Sequence, residues 1–274
     1  MRIGIAQTSP AFGERDRNIE DALQLLETAR QGADQPRGVE AVALWVLPEL
    51  FASGYQFASV DEVAAAAEPV PGGPTTEALA DYCAEHGSHV VAGLPERDGD
   101  RLFNSAVLVG PEGVLACYRK VHLFYQEKLH FSAGDRPFFV VDIGEAKVGM
   151  MICFDHLFPE SARSLALEGA DIIAHPANLV LPDLAQQTMK VRALENGVYT
   201  ATSNRIGTEA RTDESLTYTG RSQIVGPDTT ILARLSADRV EATVVDIDIA
   251  KARDKTLTPH NDKLGDRRPD LYRL

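Results

Sequence analysis

The chain has 274 residues, 44% apolar and 24% charged, a composition that can bury a sizeable core and excludes a disordered polypeptide. The 40 acidic residues against 27 basic ones leave a net charge of −13 with no Lys/Arg cluster, which excludes a nucleic-acid binder and reads as high solubility or salt adaptation. No run of about 18 apolar residues offers a membrane span, and 3 cysteines, odd in number and widely spaced, argue for a reducing cytoplasm over a disulfide framework.

Strand-like and helix-like segments alternate through the first two-thirds. Residues 3–7 read as a strand from the outset, too short for the apolar region of a signal peptide. Residues 18–29 place Ile19, Ala22, Leu23 and Leu26 on one helical face. Residues 41–47 form a continuous apolar run, as expected of a strand covered on both sides. After the Gly72-Gly73-Pro74 break, residues 75–86 read as a helix. Strands follow at 89–93, 103–109 and 114–118.

Residues 119–137 carry few regular signals, and an irregular stretch of that length inside a compact domain is usually functional. A strand pair is expected at 138–143 and 147–152, a helix at 159–168 stopped by Gly169, and a strand at 172–175. A helix at 183–196, with Gly197 just past its end, leads into a strand at 199–203. A hairpin around Gly226-Pro227-Asp228, a strand at 242–247 and a polar tail complete the chain. No linker, repeat or compositional break divides it, so residues 1–274 read as one domain. Both strand–helix–strand and hairpin connections occur, so the sheets are mixed.

Three side chains share one position type, the end of an apolar strand before a loop. Cys153 ends Val148-Gly149-Met150-Met151-Ile152, where backbone N–H groups at a helix start can lower a thiol pKa. Glu49, in Leu47-Pro48-Glu49-Leu50, sits among apolar neighbours whose desolvation raises a carboxyl pKa toward that of a usable base. Lys120, in Tyr118-Arg119-Lys120-Val121, offers an ammonium to a developing oxyanion, and Glu127 is placed to orient it or a leaving amine. Taken singly, these are also a core cysteine, a loop glutamate and surface charges. Together they are the nucleophile, base and charge stabiliser of thiol acyl transfer.

The chain resembles the nitrilase, or carbon–nitrogen hydrolase, superfamily from near Met1 to the tail. The resemblance rests on Pro48-Glu49-Leu50-Phe51-Ala52-Ser53-Gly54-Tyr55 and on Tyr118-Arg119-Lys120-Val121-His122-Leu123-Phe124 with Phe131-Ser132-Ala133-Gly134-Asp135. It continues in Gly149-Met150-Met151-Ile152-Cys153-Phe154-Asp155 followed by Pro159-Glu160, in Ala193-Leu194-Glu195-Asn196 and in Ser203-Asn204-Arg205-Ile206-Gly207. It implies a four-layer α-β-β-α sandwich of the nitrilase type, dimerising through its helical layer, with no metal and no organic cofactor. A second active-site glutamate falls on Glu127, and Tyr55, Phe154 and Asn178 are the expected substrate contacts. His175-Pro176-Ala177-Asn178-Leu179-Val180 looks closer to the small-amidase and nitrilase-like branch than to the carbamoyl-hydrolysing ones. Asn178 reads alternatively as a turn or cap before the next helix.

The expected reaction is hydrolysis of a small, aliphatic amide to acid and ammonia. Glu49 activates Cys153, Lys120 and the Phe154 N–H hold the oxyanion, and a thioester is then hydrolysed. A nitrilase and an N-carbamoyl amine amidohydrolase are the rivals within the class. A non-catalytic binding subunit is a rival outside it, and a glutamine-hydrolysing domain would need an attached synthetase. A papain-like pairing of Cys153 with His122 or His156 is the rival mechanism. His86 and His89 lack further partners for a metal, Gly72-Gly73-Pro74 lacks phosphate-loop spacing, and Arg267-Arg268 reads as a docking tail.

Overall fold

The computed structural model describes residues 1–32 and 42–273. Ala41, where the apolar run of the second strand begins, and Leu274 lie outside the described residues. The first half runs β1 (Arg2–Gln7), α1 (Arg15–Gly32), β2 (Leu44–Val46), α2 (Val60–Ala66), α3 (Pro74–His86), β3 (His89–Asp98), β4 (Arg101–Gly110), β5 (Gly113–Arg119) and α4 (Glu127–His130). The second continues with β6 (Val140–Asp142), β7 (Lys147–Met150), α5 (Pro159–Leu167), β8 (Ile172–Pro176), α6 (Leu184–Asn196) and β9 (Tyr199–Ser203). A ribbon of β10 (Thr208–Glu209) and β11 (Leu216–Thr217) precedes β12 (Gln223–Val225), β13 (Ile231–Arg234) and β14 (Glu241–Asp246). The tail adds α7 (Ala250–Arg253) and a small ribbon, β15 (Thr256–Thr258) with β16 (Asn261–Asp262).

Two six-stranded sheets, in the orders β14-β1-β2-β3-β4-β5 and β13-β12-β9-β8-β7-β6, pack face to face. In the first, β1, β2 and β3 are parallel and β4 and β5 continue antiparallel. In the second, β7, β8 and β9 are parallel, flanked by antiparallel β6 and β12. The period-2 alternation of strand side chains assigns the layers. Leu44 and Val46 enter the core between the sheets, while Trp45 and Leu47 face α1 and α3. Ile172 and Ala174 likewise enter the inter-sheet core, and Ile173 meets α5 and α6. The order is therefore helix, sheet, sheet, helix, the sandwich that the resemblance implied.

The shortest elements escaped the sequence reading, among them α2, α4, α7 and the ribbons β10/β11 and β15/β16. Helix α2 is short, with one buried residue, Val63, and is started by the Ser59 hydroxyl accepting from the Glu62 N–H. Strands β10 and β11 have two residues each, too short to show a period. Strand β3 also runs on to Asp98, because it pairs with β4 through to Arg101. Of the Arg267-Arg268 pair, Arg268 binds Asp270, and Arg267 lies over the Tyr272 ring and acts electrostatically on Arg163 of α5. Among the described residues, no helix is long and apolar enough to cross a membrane.

Candidate active site

The C-terminal ends of β2, β5 and β7 bring Glu49, Lys120 and Cys153 into one buried cluster. Glu49 stands on a corner whose next residue, Leu50, adopts φ 49°. Gly93 of β3 makes room for that corner, since a Cβ there would lie 2.5 Å from the Glu49 Cα. Cys153 itself has φ 42°, in the left-handed region that side-chain-bearing residues avoid. It opens a 3₁₀ turn, Cys153–Leu157, where a first-turn N–H such as that of Phe154 has no intrahelical carbonyl to meet.

Lys120 Nζ donates to Glu49 Oε1 at 2.7 Å and to Glu127 Oε1 at 2.8 Å, with all three side chains buried. The two carboxylates differ in how fully they are occupied. Glu127 Oε1 also accepts from the Tyr55 hydroxyl at 2.6 Å, and its Oε2 from the Phe124 N–H at 3.1 Å. Glu49 Oε1 accepts from Lys120 and from Asn104 Nδ2 at 2.7 Å, but its Oε2 has no protein partner. Both Glu127 oxygens are thus occupied, while one oxygen of Glu49 is left open.

The electrostatics follow from one ammonium shared between two carboxylates in a dry site. Burial pushes Glu49 above the usual carboxylate range; the Lys120 charge opposes this and Glu127 adds to it. Burial presses Lys120 down, but Glu127 and Glu49 outweigh it and hold the ammonium above its ordinary value. The Cys153 thiol is raised well above its usual range by burial first and by the Glu49 charge second, with Lys120 opposing. The direction is opposite to the expectation of a thiol lowered by a helix start: here burial and the Glu49 charge both favour the protonated sulfur.

The sulfur's hydrogen bond goes to the Asn178 carbonyl and not to His122 or His156. His122 Nδ1 lies 2.7 Å from Asp155 Oδ1 and its ring stacks on Phe158. His156 Nδ1 meets the Thr188 hydroxyl at 2.6 Å, and burial lowers its pKa to about 3. A third histidine, given no role from sequence, touches the nucleophile corner: His175 Nε2 lies 2.9 Å from the Cys153 carbonyl and Nδ1 3.1 Å from Thr202 Oγ1. Burial lowers its pKa to about 4, so its neutral ring donates to that carbonyl and helps hold the left-handed turn.

Asp155 ties the cysteine corner to the lysine segment. Its Oδ2 accepts from the Ile152 N–H at 2.9 Å and the Tyr118 hydroxyl at 2.7 Å. Its Oδ1 accepts from the His122 N–H at 3.1 Å and from His122 Nδ1. Only an ionised carboxylate accepts at every one of these positions; a carboxamide must turn an N–H toward two donors. Asp155→Asn is therefore expected to lower kcat by on the order of a hundredfold through misplacement of Cys153, with KM little changed. Steady-state kinetics check this, and an unaltered kcat contradicts it.

Of the expected substrate contacts, Phe154 and Asn178 line one pocket with Cys153, with a cavity volume of ≈ 30 Å³. Tyr55 sits instead in the adjoining pocket beside Glu127, with Phe124 shared between the two. Asn178 Nδ2 donates to the Glu49 carbonyl at 2.9 Å, and the Asn178 carbonyl lies 3.9 Å from Cys153 Sγ. Asn104 was missed from sequence. The available signal was a carboxamide inside the apolar β4 strand, which needs a buried partner.

Residues 2–255 match the model of the carbon–nitrogen hydrolase family. The chain belongs to the carbon–nitrogen hydrolase family. A protein named nitrilase from Pyrococcus abyssi is 46% identical over 99% of both chains. The crystal structure of a carbon–nitrogen hydrolase from Helicobacter pylori G27 superposes with a TM-score of 0.87 at 26% identity, covering 99% of this chain and 97% of that one. An amidase from Nesterenkonia sp. AN1 superposes with a TM-score of 0.78 at 27% identity, covering 99% of this hydrolase and 95% of that chain. That amidase was captured, as a variant, with the acetamide moiety of fluoroacetamide covalently added at its active site cysteine.

Proposed function

We propose that this carbon–nitrogen hydrolase cleaves a small aliphatic amide to acid and ammonia through a thioester on Cys153. The observation that carries the reading is the division of labour around Lys120: Glu49 has a free carboxyl oxygen and Glu127 has none. Glu49 takes the thiol proton as Cys153 Sγ bonds to the carbonyl carbon. The Lys120 ammonium and the Phe154 N–H stabilise the resulting oxyanion. Glu49 then passes the proton to the nitrogen, the C–N bond breaks and ammonia departs. Water attacks the thioester, giving a proton to Glu49, and the collapsing intermediate returns it to the leaving sulfur.

The narrow pocket at Cys153 favours a small acyl group, and the acetamide adduct of the Nesterenkonia amidase supports an amide. The name of the Pyrococcus relative keeps nitriles in the test. Ammonia release is measured across small aliphatic amides, nitriles and carbamoyl amines, with carbon dioxide assayed for the last. Amide turnover with an acyl adduct on Cys153 by mass spectrometry is the expected result. Turnover of nitriles alone moves the assignment. A dimer through the α5/α6 layer belongs to the same proposal, supported by Leu167, Val191 and Leu194, which are exposed there.

A further inference from the structure

We infer that Asn178 accepts a hydrogen bond from the leaving-group nitrogen, making the site selective for substrates that carry an N–H at the scissile bond. This deepens the amide reading and rests on it. Asn178 lines the pocket with Cys153 and is 3% exposed. Its orientation is fixed by chemistry: the Glu49 carbonyl is acceptor-only, so the NH2 end of the carboxamide must face it at 2.9 Å. The opposite end, Oδ1, is then turned away from the Glu49 backbone carbonyl, and it is buried without a protein partner. A buried acceptor left unpaired costs free energy that a bound donor recovers.

The donor that fits is the amide nitrogen. A primary amide attacked by Cys153 presents two N–H groups, and the Glu49 carboxyl must lie beside the same nitrogen to deliver a proton. Glu127 is not free to serve as the second acceptor, since Lys120, Tyr55 and the Phe124 N–H occupy its oxygens. Asn104 also has an unpartnered Oδ1, but it does not line the pocket at the sulfur. Asn178 remains. An ester of the same acid acylates the same cysteine and offers no N–H at the leaving atom. The site's preference between amide and ester therefore reads out this one contact.

The experiment compares a primary amide with the methyl ester of the same acid, in the native protein and in Asn178→Ala. The amide is expected to lose kcat/KM by on the order of 10- to 100-fold while the ester changes less than about threefold. Ester turnover also shows that the variant is folded and that Cys153 is competent. Asn178→Ser, which keeps a small polar side chain at the corner, takes its place if the alanine protein is insoluble. Equal losses on amide and ester make Asn178 a support of the Glu49 corner only and overturn the inference, leaving the amide reading intact. Ester turnover by the native protein with no turnover of any amide removes both.

Discussion

Glu49→Gln protein is expected to lose hydrolysis by on the order of a hundredfold to ten-thousandfold while its Cys153 thiolate forms at lower pH than in the native protein. The two effects run in opposite directions because Glu49 does two things to the sulfur. As a base it removes the thiol proton during attack; as a buried charge it opposes the thiolate at rest. Glutamine removes both, and the Lys120 ammonium, which favours the thiolate, then acts with less opposition. The pH dependence of Cys153 alkylation by a neutral reagent, with Cys153→Ala as the blank, reads the second effect. Burial pushes Cys83 and Cys117 up to about 12, so they contribute little background. Ammonia release reads the first. Hydrolysis within tenfold of native rules Glu49 out as the base, and an alkylation profile that moves upward contradicts the charge argument.

Lys120→Met is expected to cost about 3–5 kcal/mol of folding stability together with its activity, although methionine matches the lysine stem in shape. The ammonium is fully buried between Glu49 and Glu127, and without it two carboxylates share a dry site with no counter-charge. The deficit should shrink on acidification. Glu49 already has a folded pKa above its usual value, and losing Lys120 raises it further. The folded state then binds that proton more tightly than the unfolded chain, so folding gains as pH falls through the folded pKa. Denaturant titrations across that range measure this. The double variant Lys120→Met with Glu49→Gln is expected to recover part of the loss, since only Glu127 remains charged; strict additivity of the single losses contradicts a shared site.

The candidate chemistry was legible in the sequence because strand ends are. Leu44-Trp45-Val46 and Gly149-Met150-Met151 announce buried strands by composition, Ala116-Cys117-Tyr118 an apolar strand that lies at the edge of its sheet, and residues just past such strands in a layered α/β fold gather at one end of the sheets. Glu49, Lys120 and Cys153 were readable on that ground, whereas Glu127 was read from its place seven residues past Lys120 and from the family resemblance. The occupancy of each carboxyl oxygen was not, because it depends on Asn104 from β4, Tyr55 from the loop after Glu49 and the Phe124 N–H. Those partners reach the cluster from three segments whose spacing in sequence carries no periodic signal.

By itself the sequence determined the two-sided burial of the central strands, the helices that cover them and the residue types available for thiol acyl transfer. Only the tertiary structure decided that the thiol is raised and not lowered, that Glu49 and not Glu127 keeps an open oxygen, and that Tyr55 braces Glu127 away from the pocket at the sulfur. The division has a physical cause. Periodicity and turn chemistry act over a few residues and are written locally. Desolvation and charge coupling depend on every group within a few ångströms, and here those groups come from residues as distant in the chain as Glu49 and Asn178.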